Sequence, residues 1–276
     1  MTIGIIGQGY VGTAIKLGFE PHYNVLTYDK FDLAKSTHPK ISDLVEETKV
    51  IFVCVPTPMR KDGTCYTGIV EEVIREINET ATDHIVVIKS TIPPGTTDRI
   101  NQEYTHSTVI FNPEFLTEEN FLEDFKNQKR IILGGDRKGT NKLRQIYSKV
   151  FPHATIVKTG SNTAEMVKYF TNNFLATKVS FANEMYSVCE QIGIDYDKVV
   201  EYAIYDERLG KSHWAVPGPD GDFGYGGHCL PKDLSAIVNQ FETYGLLEAV
   251  ENVNDQVREN RDWEHMVGRA VLEEDE

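Results

Sequence analysis

The run Ile3-Gly4-Ile5-Ile6-Gly7-Gln8-Gly9-Tyr10-Val11-Gly12 decides how this chain begins to fold. Residues 3–6 are a short apolar strand, and a helix-forming stretch continues from the glycines through Phe19. The glycine pattern therefore sits at a strand-to-helix turn, where a dinucleotide-binding loop requires it. Gly7 allows the tight turn, Gly9 lets a pyrophosphate approach the backbone, and Gly12 allows the helix to pack closely on the strand. Gln8, Tyr10 and Val11 belong to the same cofactor-binding loop. The next strand, residues 24–28, ends in Asp29. Lying about twenty residues beyond the glycines, this carboxylate is placed to accept hydrogen bonds from an adenosine ribose and to favour NAD over NADP. Lys30 beside it is a cation that tolerates a 2′-phosphate, and the plainer reading of Asp29 is a strand-end turn residue.

Further strands are expected at residues 50–55, 85–89, 108–111, 131–133 and 155–157, each bounded by Gly, Pro or Asn and separated by helical stretches. This alternation predicts an α/β fold with a doubly wound, Rossmann-like parallel sheet. After Gly160 the texture changes to one long helical pattern, with apolar positions from Met166 to Cys189 and Gly193 at its end. At 1.5 Å per residue that helix is about 45 Å long. The expected division is an NAD-binding domain over residues 1–160 and a helical central domain over 161–276. Asp195 is a cap for another helix, residues 209–228 form a Gly- and Pro-rich loop, and two helical segments follow Pro231. The ending Glu273-Glu274-Asp275-Glu276 reads as a solvated acidic tail.

The chain has 28 basic and 42 acidic residues in 276, a net charge of −14 that opposes general nucleic-acid binding. Phosphates must then be held locally, by backbone N–H groups and a few placed cations. No apolar run approaches membrane-spanning length, and a strand beginning near residue 2 leaves no room for a signal peptide. Cys54, Cys65, Cys189 and Cys229 form no C-x-x-C pair and read as reduced thiols of a cytoplasmic protein. His228 beside Cys229, with no second ligand pair nearby, is a poor zinc pattern, and no metal is expected.

Three strand-end loops carry unusual chemistry. They are Val55-Pro56-Thr57-Pro58, Ser90-Thr91-Ile92-Pro93-Pro94-Gly95-Thr96 and the run from Asn112 through Pro113, Glu114, Phe115, Leu116 and Thr117 to Glu118. In a doubly wound sheet all three fall on the cofactor edge. Prolines stiffen such loops, and Thr57, Ser90 and Thr91 offer short hydroxyls. Gly226-Gly227-His228-Cys229-Leu230-Pro231-Lys232-Asp233 places a cysteine at a glycine-loosened loop-to-helix junction. Pro231 suits a first helical turn, whose positive end favours thiolate over thiol. The segment alone fits a nucleophile and an ordinary helix cap equally well. On the long helix, Glu165, Lys168 and Asn172 share a face within roughly 60°. Asn172 among large apolar neighbours suggests an enclosed face rather than a solvated Glu165–Lys168 ion pair.

Together these motifs resemble the UDP-glucose/GDP-mannose dehydrogenase family, from residue 1 to about residue 260. The resemblance is carried by Gly-Gln-Gly-Tyr-Val-Gly, Val-Pro-Thr-Pro, Ser-Thr-Ile-Pro-Pro-Gly-Thr, Asn-Pro-Glu-Phe-Leu and Glu165-x-x-Lys168-x-x-x-Asn172 with Asn183-Glu184. Asp206-Glu207-Arg208-Leu209-Gly210 and Gly-Tyr-Gly-Gly-His-Cys-Leu-Pro-Lys-Asp complete it. It implies oxidation of a nucleotide sugar's C6 alcohol to the carboxylate with NAD, UDP-glucose to UDP-glucuronate being the expected conversion. By the same match, Cys229 is the nucleophile, Lys168 and Asp233 the ionisable pair at the reacting oxygen, and Asn172 a hydrogen-bond donor. Glu114 helps water attack, Thr91 joins the reacting groups, and Glu118, one helical turn after Glu114, approaches the nicotinamide ribose. Phe115, Leu116, Tyr225, Gly226 and Gly227 are implied substrate contacts, with Arg208 reaching the substrate of a neighbouring subunit in a homodimer. Family members usually continue into a third α/β domain over the nucleotide base, so a separate nucleotide-binding domain is an expected partner. Two other functions share this fold: a single-step hydroxyacid-type dehydrogenase that needs no cysteine, and a non-catalytic cofactor-binding partner protein.

Overall fold

The structure, a computed structural model, describes residues 1–273, so Glu274-Asp275-Glu276 of the acidic ending lie outside the described residues. The chain forms two compact units: Met1–Thr57 with Thr67–Lys168, and Pro58–Tyr66 with the chain from Tyr169 onward.

The first unit is built on β1 (Thr2–Ile6), β2 (Asn24–Tyr28), β3 (Val50–Val53), β4 (His84–Ile88), β5 (Ser107–Phe111), β6 (Arg130–Gly134) and β7 (Thr155–Thr159). Between the strands run α1 (Tyr10–Phe19), α2 (Ile41–Glu47), α3 (Gly68–Thr80), α4 (Thr96–Glu103), α5 (Phe121–Lys126) and α6 (Arg137–Val150). The seven strands lie in the order β2-β1-β3-β4-β5-β6-β7, so the order reverses at β1 and β3. Ligands of open α/β sheets bind at such a switch point, beyond the carboxyl ends of the strands. The inner strands, such as β3 and β4, are nearly continuous apolar runs because helices cover both faces, whereas the edge strands β2 and β7 are mixed and partly exposed. In β3, Ile51 and Val53 join Leu44, Val70 and Ile74 on one face. Phe52 on the other face joins Ala14, Phe19, Leu143 and Tyr147.

One pairing departs from the expected all-parallel sheet. β6 meets β5 antiparallel, with Phe111 opposite Gly134, while every other pairing is parallel. Apolar periodicity locates a strand without fixing its direction, which the connection sets. Here residues 112–120 form no helix or strand, and the only helix in the connection, α5, has six residues. It is about 9 Å long, shorter than the roughly 17 Å that a parallel return past a five-residue strand requires.

The second unit consists of the short turn-back Pro58–Tyr66, most of α7 (Ser161–Ile192), then α8 (Tyr196–Ala203), α9 (Cys229–Gln240) and α10 (Leu246–Val257). α7 has 32 residues, about 48 Å, and begins and ends where the sequence indicates. Asp195 caps α8 by accepting from the Lys198 N–H. Ala176, Val179, Tyr225, Leu234 and Val250 bury one face where α7, α9 and α10 meet. Met59 pairs with Cys65 across the turn-back, and Cys65 packs with Tyr169, Ala236 and Ile237. No helix among the described residues is long and apolar enough to cross a membrane.

Candidate active site

The glycine loop has the shape expected of a dinucleotide cradle. Gly7 adopts φ +92°, and a Cβ there would lie 2.6 Å from the Cys54 carbonyl oxygen at the end of β3. A Cβ on Gly12 would overlap the Gly7 carbonyl, so α1 reaches the strand end only because residue 12 has no side chain. Gly9 differs, since a Cβ there would meet nothing within 4 Å. That open approach to the N-terminus of α1 is what a pyrophosphate needs, and these residues therefore fit NAD. Tyr10 opens the helix with its ring edge-on to Phe121, 5.2 Å between centroids, and Val11 packs against the sheet. Asp29 Oδ2 accepts from the Gln8 N–H at 2.7 Å, and Oδ1 accepts from the Phe31 and Asp32 N–H groups at 2.9 Å each. Asp29 thus has the turn role, and its three bonds leave an acceptor position over, because a carboxylate has about four. Lys30 lies over the exposed Phe31 ring at 5.9 Å.

The neighbouring loops are tied together by hydroxyls. Ser90 Oγ donates to the Val55 carbonyl at 2.5 Å, and Thr57 Oγ1 donates to the Thr91 carbonyl at 2.8 Å. Pro56 stands between these two ties, so the β3 and β4 loops form one stiff rim. Glu114, 8% exposed, accepts from the Phe115 N–H through Oε1 and pairs with Lys89 through Oε2 at 2.9 Å. Leu116 packs against the sheet's apolar core, and Phe115 lies under the Arg130 and Lys168 cations at 4.5 and 5.5 Å. Residues 112–117 are irregular and 118–120 form a turn, so Glu118 does not follow Glu114 by a helical turn. Pro113 within this strand-end loop disfavours a helical conformation for Asn112 before it.

Glu165 does not form the surface pair with Lys168 that its spacing allows. It is fully buried, accepts from the Gly95 N–H at 2.7 Å, and accepts from both the Thr97 N–H and hydroxyl at 2.8 and 2.6 Å. It thereby satisfies orphan donors at the start of α4. Burial raises the Glu165 carboxyl above its ordinary range, against the opposing effect of those bonds. Lys168 and Asn172, one turn apart on α7, are 7% and 6% exposed.

In the second unit Cys229 is the first residue of α9, is half-buried and is in no disulfide. The neighbouring His228 Nε2 lies 3.4 Å from its sulfur. Asp233, one turn along α9, is fully buried; its Oδ2 accepts from the Asn172 amide at 2.6 Å, and its Oδ1 pairs with Lys232. Burial alone would lower the Lys232 pKa, but the adjoining Asp233 carboxylate overrides it and raises the pKa. The loop before the cysteine is pinned from behind. Asn254 accepts from the Tyr225 N–H and donates to its carbonyl, while Asp262 accepts from the Gly227 N–H. A Cβ on Gly226 would overlap the Arg258 guanidinium, which pairs with Asp220, Asp222 and Asp262. The Tyr225 ring is 4% exposed within the apolar cluster, so its side chain serves packing. Arg208 is exposed, with Nε bonded to Asp206 at 2.9 and 3.0 Å.

Lys232 and Asn112 stand in motifs legible in the sequence but carry no role there, Lys89 figures only as the end of a strand, and Arg258 belongs to no motif. Lys89 left a signal, being a charge at the end of the apolar run His84-Ile85-Val86-Val87-Ile88. A buried lysine at a sheet's carboxyl edge needs a carboxylate partner. Arg258 left none, because its three aspartates lie four to 38 residues away and no periodicity joins them.

Residues 32–151 match the model of the UDP-glucose/GDP-mannose dehydrogenase family, NAD binding domain, and residues 162–256 match that of its central domain. The chain is 32% identical to the UDP-glucose 6-dehydrogenase AglM of Haloferax volcanii, over 92% of this chain and 70% of the relative. It is 32% identical to a UDP-glucose 6-dehydrogenase of Pseudomonas aeruginosa, over 87% of this chain but 56% of the relative's length. Among solved structures, a UDP-glucose dehydrogenase from Pyrobaculum islandicum superposes with a TM-score of 0.83 at 30% identity, over 92% of this chain and 68% of that one. A UDP-D-ManNAc dehydrogenase from Pyrococcus horikoshii gives 0.79 at 25% identity, over 93% and 68%.

Proposed function

This chain belongs to the UDP-glucose/GDP-mannose dehydrogenase family, its first part being that family's NAD-binding domain, and we propose on that premise that it oxidises UDP-glucose to UDP-glucuronate. The observation that carries the reading is the placement of Cys229 and Asp233 one turn apart on α9, with Asp233 bound by Asn172. A single-step dehydrogenase has no use for a cysteine so placed.

The glycine loop at Gly7, Gly9 and Gly12 would hold NAD, which would supply hydride acceptance at the sugar C6 for two successive oxidations. Asp233 accepts the alcohol proton, directly or through water, and Lys168 and Asn172 stabilise the developing oxyanion. The Cys229 sulfur adds to the resulting aldehyde carbon and the carbonyl oxygen takes a proton, giving a thiohemiacetal. That alcohol is oxidised in turn to a thioester, so the aldehyde is never released. Glu114 takes a proton from the water that adds to the thioester carbonyl; the C–S bond breaks, the thiol is restored and the carboxylate departs. Thr91 and Glu118 serve at the cofactor end, while Arg208 serves a neighbouring copy's substrate. A homodimer is part of the proposal, supported by Phe170, Phe174 and Phe181, which lie along α7 at 72, 58 and 55% exposure. A cytoplasmic setting rests on four cysteines that form no disulfide, and a separate nucleotide-binding domain would complete the contacts to the base.

The test is NADH formation by the purified chain from a panel of UDP- and GDP-sugars. UDP-glucose with NAD is expected to give the strongest signal and NADP little. No NADH from any sugar, with NAD binding intact, would leave a cofactor-binding partner protein as the better reading.

A further inference from the structure

We infer that Lys89 is a positioning residue for Glu114, supplying the buried counter-charge that lets this carboxylate serve as the base in thioester cleavage. The inference rests on the function proposed above and adds a residue to its hydrolytic half. Lys89 directly follows β4 and continues its pattern, its N–H donating to the Val53 carbonyl at 2.9 Å. Its side chain is 3% exposed, and Nζ lies 2.9 Å from Glu114 Oε2 and 2.9 Å from Asn112 Oδ1. Asn112 is itself fixed, its amide donating to the Ile132 carbonyl at 2.8 Å and its oxygen accepting from the Tyr147 hydroxyl. The ammonium is therefore held on β4, β5 and β6 at once, and one carboxylate oxygen is held to it.

The physical reason is charge. A carboxylate buried to this degree without a partner is costly enough to be displaced or neutralised, and a neutral acid takes no proton from water. Glu114 Oε1 accepts from the Phe115 N–H, while Oε2, buried and without a hydrogen bond, has the Lys89 ammonium 2.9 Å away as its counter-charge. Lys89 touches neither the sugar nor the water in this role. It acts through Glu114, so its loss should slow deacylation and spare the oxidations.

The experiment mixes enzyme, NAD and UDP-glucose, follows NADH, and measures acyl adduct on Cys229 by intact mass. Glu114→Gln should accumulate adduct with deacylation slowed about a hundredfold. Lys89→Met should accumulate it too, slowed at least about tenfold, and Lys89→Arg, which restores the charge, should relieve it. NAD binding reports folding. The double variant Lys89→Met/Glu114→Gln, which leaves no buried charge unpaired, should deacylate at the Glu114→Gln rate. Adduct in Glu114→Gln but none in folded Lys89→Met, or a double variant slower than Glu114→Gln, overturns the role of Lys89 alone. Absence of adduct in Glu114→Gln overturns the assignment of Glu114, and this inference with it.

Discussion

The Asn172 side-chain amide donates to Asp233 Oδ2 at 2.6 Å, tying the middle of α7 to the first turns of α9. The other carboxylate oxygen is bound by Lys232, so a fully buried aspartate is satisfied on both sides within one unit. Removing either partner leaves an uncompensated group in the interior. Lys232→Met is expected to cost about 3–5 kcal/mol of stability, and adding Asp233→Asn to it should recover part of that loss. Asn172→Leu should cost about 1–3 kcal/mol. Chemical denaturation of the variants measures both; equal stability of Lys232→Met and the unaltered chain would show that the pair is not buried as described.

Gly9 and Gly12 should separate cofactor binding from folding. Gly9 has φ −70° and open space around its missing Cβ, so Gly9→Ala should change stability by less than about 0.5 kcal/mol. Its methyl group occupies the pyrophosphate approach, and NAD affinity should fall at least about tenfold, or roughly 1.4 kcal/mol. Gly12→Ala must push α1 off the Gly7 carbonyl, which should cost about 1–3 kcal/mol and weaken NAD binding as well. Thermal unfolding beside NAD titration reads the two effects; unimpaired NAD binding in Gly9→Ala would place the pyrophosphate elsewhere.

The four thiols should differ sharply in reactivity. Burial pushes the Cys54 thiol up to about 12, so at pH 8 only about one molecule in ten thousand carries its thiolate. Cys65 and Cys189 are each 2% exposed. Cys229, half-buried at a helix N-terminus with His228 3.4 Å from its sulfur, should react with iodoacetamide first, and NAD with UDP-glucose should protect it. Peptide mapping after brief labelling shows the order. Labelling of Cys229 no faster than the others would remove the argument for an activated thiol.

Much of this was legible in the sequence, for reasons that are local. Gly7, Gly9 and Gly12 announce a strand-to-helix turn, and the structure has the tight turn at Gly7, open space beside Gly9 and close packing at Gly12. The bounds of α7 follow from an unbroken apolar period closed by Gly193. What escaped was long-range. The direction of β6 depends on how residues 112–129 spend their length, which no strand pattern encodes. Glu165 and Lys168 have the spacing of an ion pair, yet Glu165 turns to the amides of α4, about 70 residues earlier in the chain. Lys89 and Glu114 are 25 positions apart on adjoining strand ends, and only sheet pairing brings them to 2.9 Å.

The central claim is that Cys229 carries a second oxidation on the same sugar. The direct measurement is the NADH formed per molecule of UDP-glucose consumed, for the unaltered chain and for Cys229→Ser. The account predicts two NADH per sugar for the former and no more than one for the latter, with NAD binding preserved in both. One NADH per sugar from the unaltered chain, or two from Cys229→Ser, would contradict it.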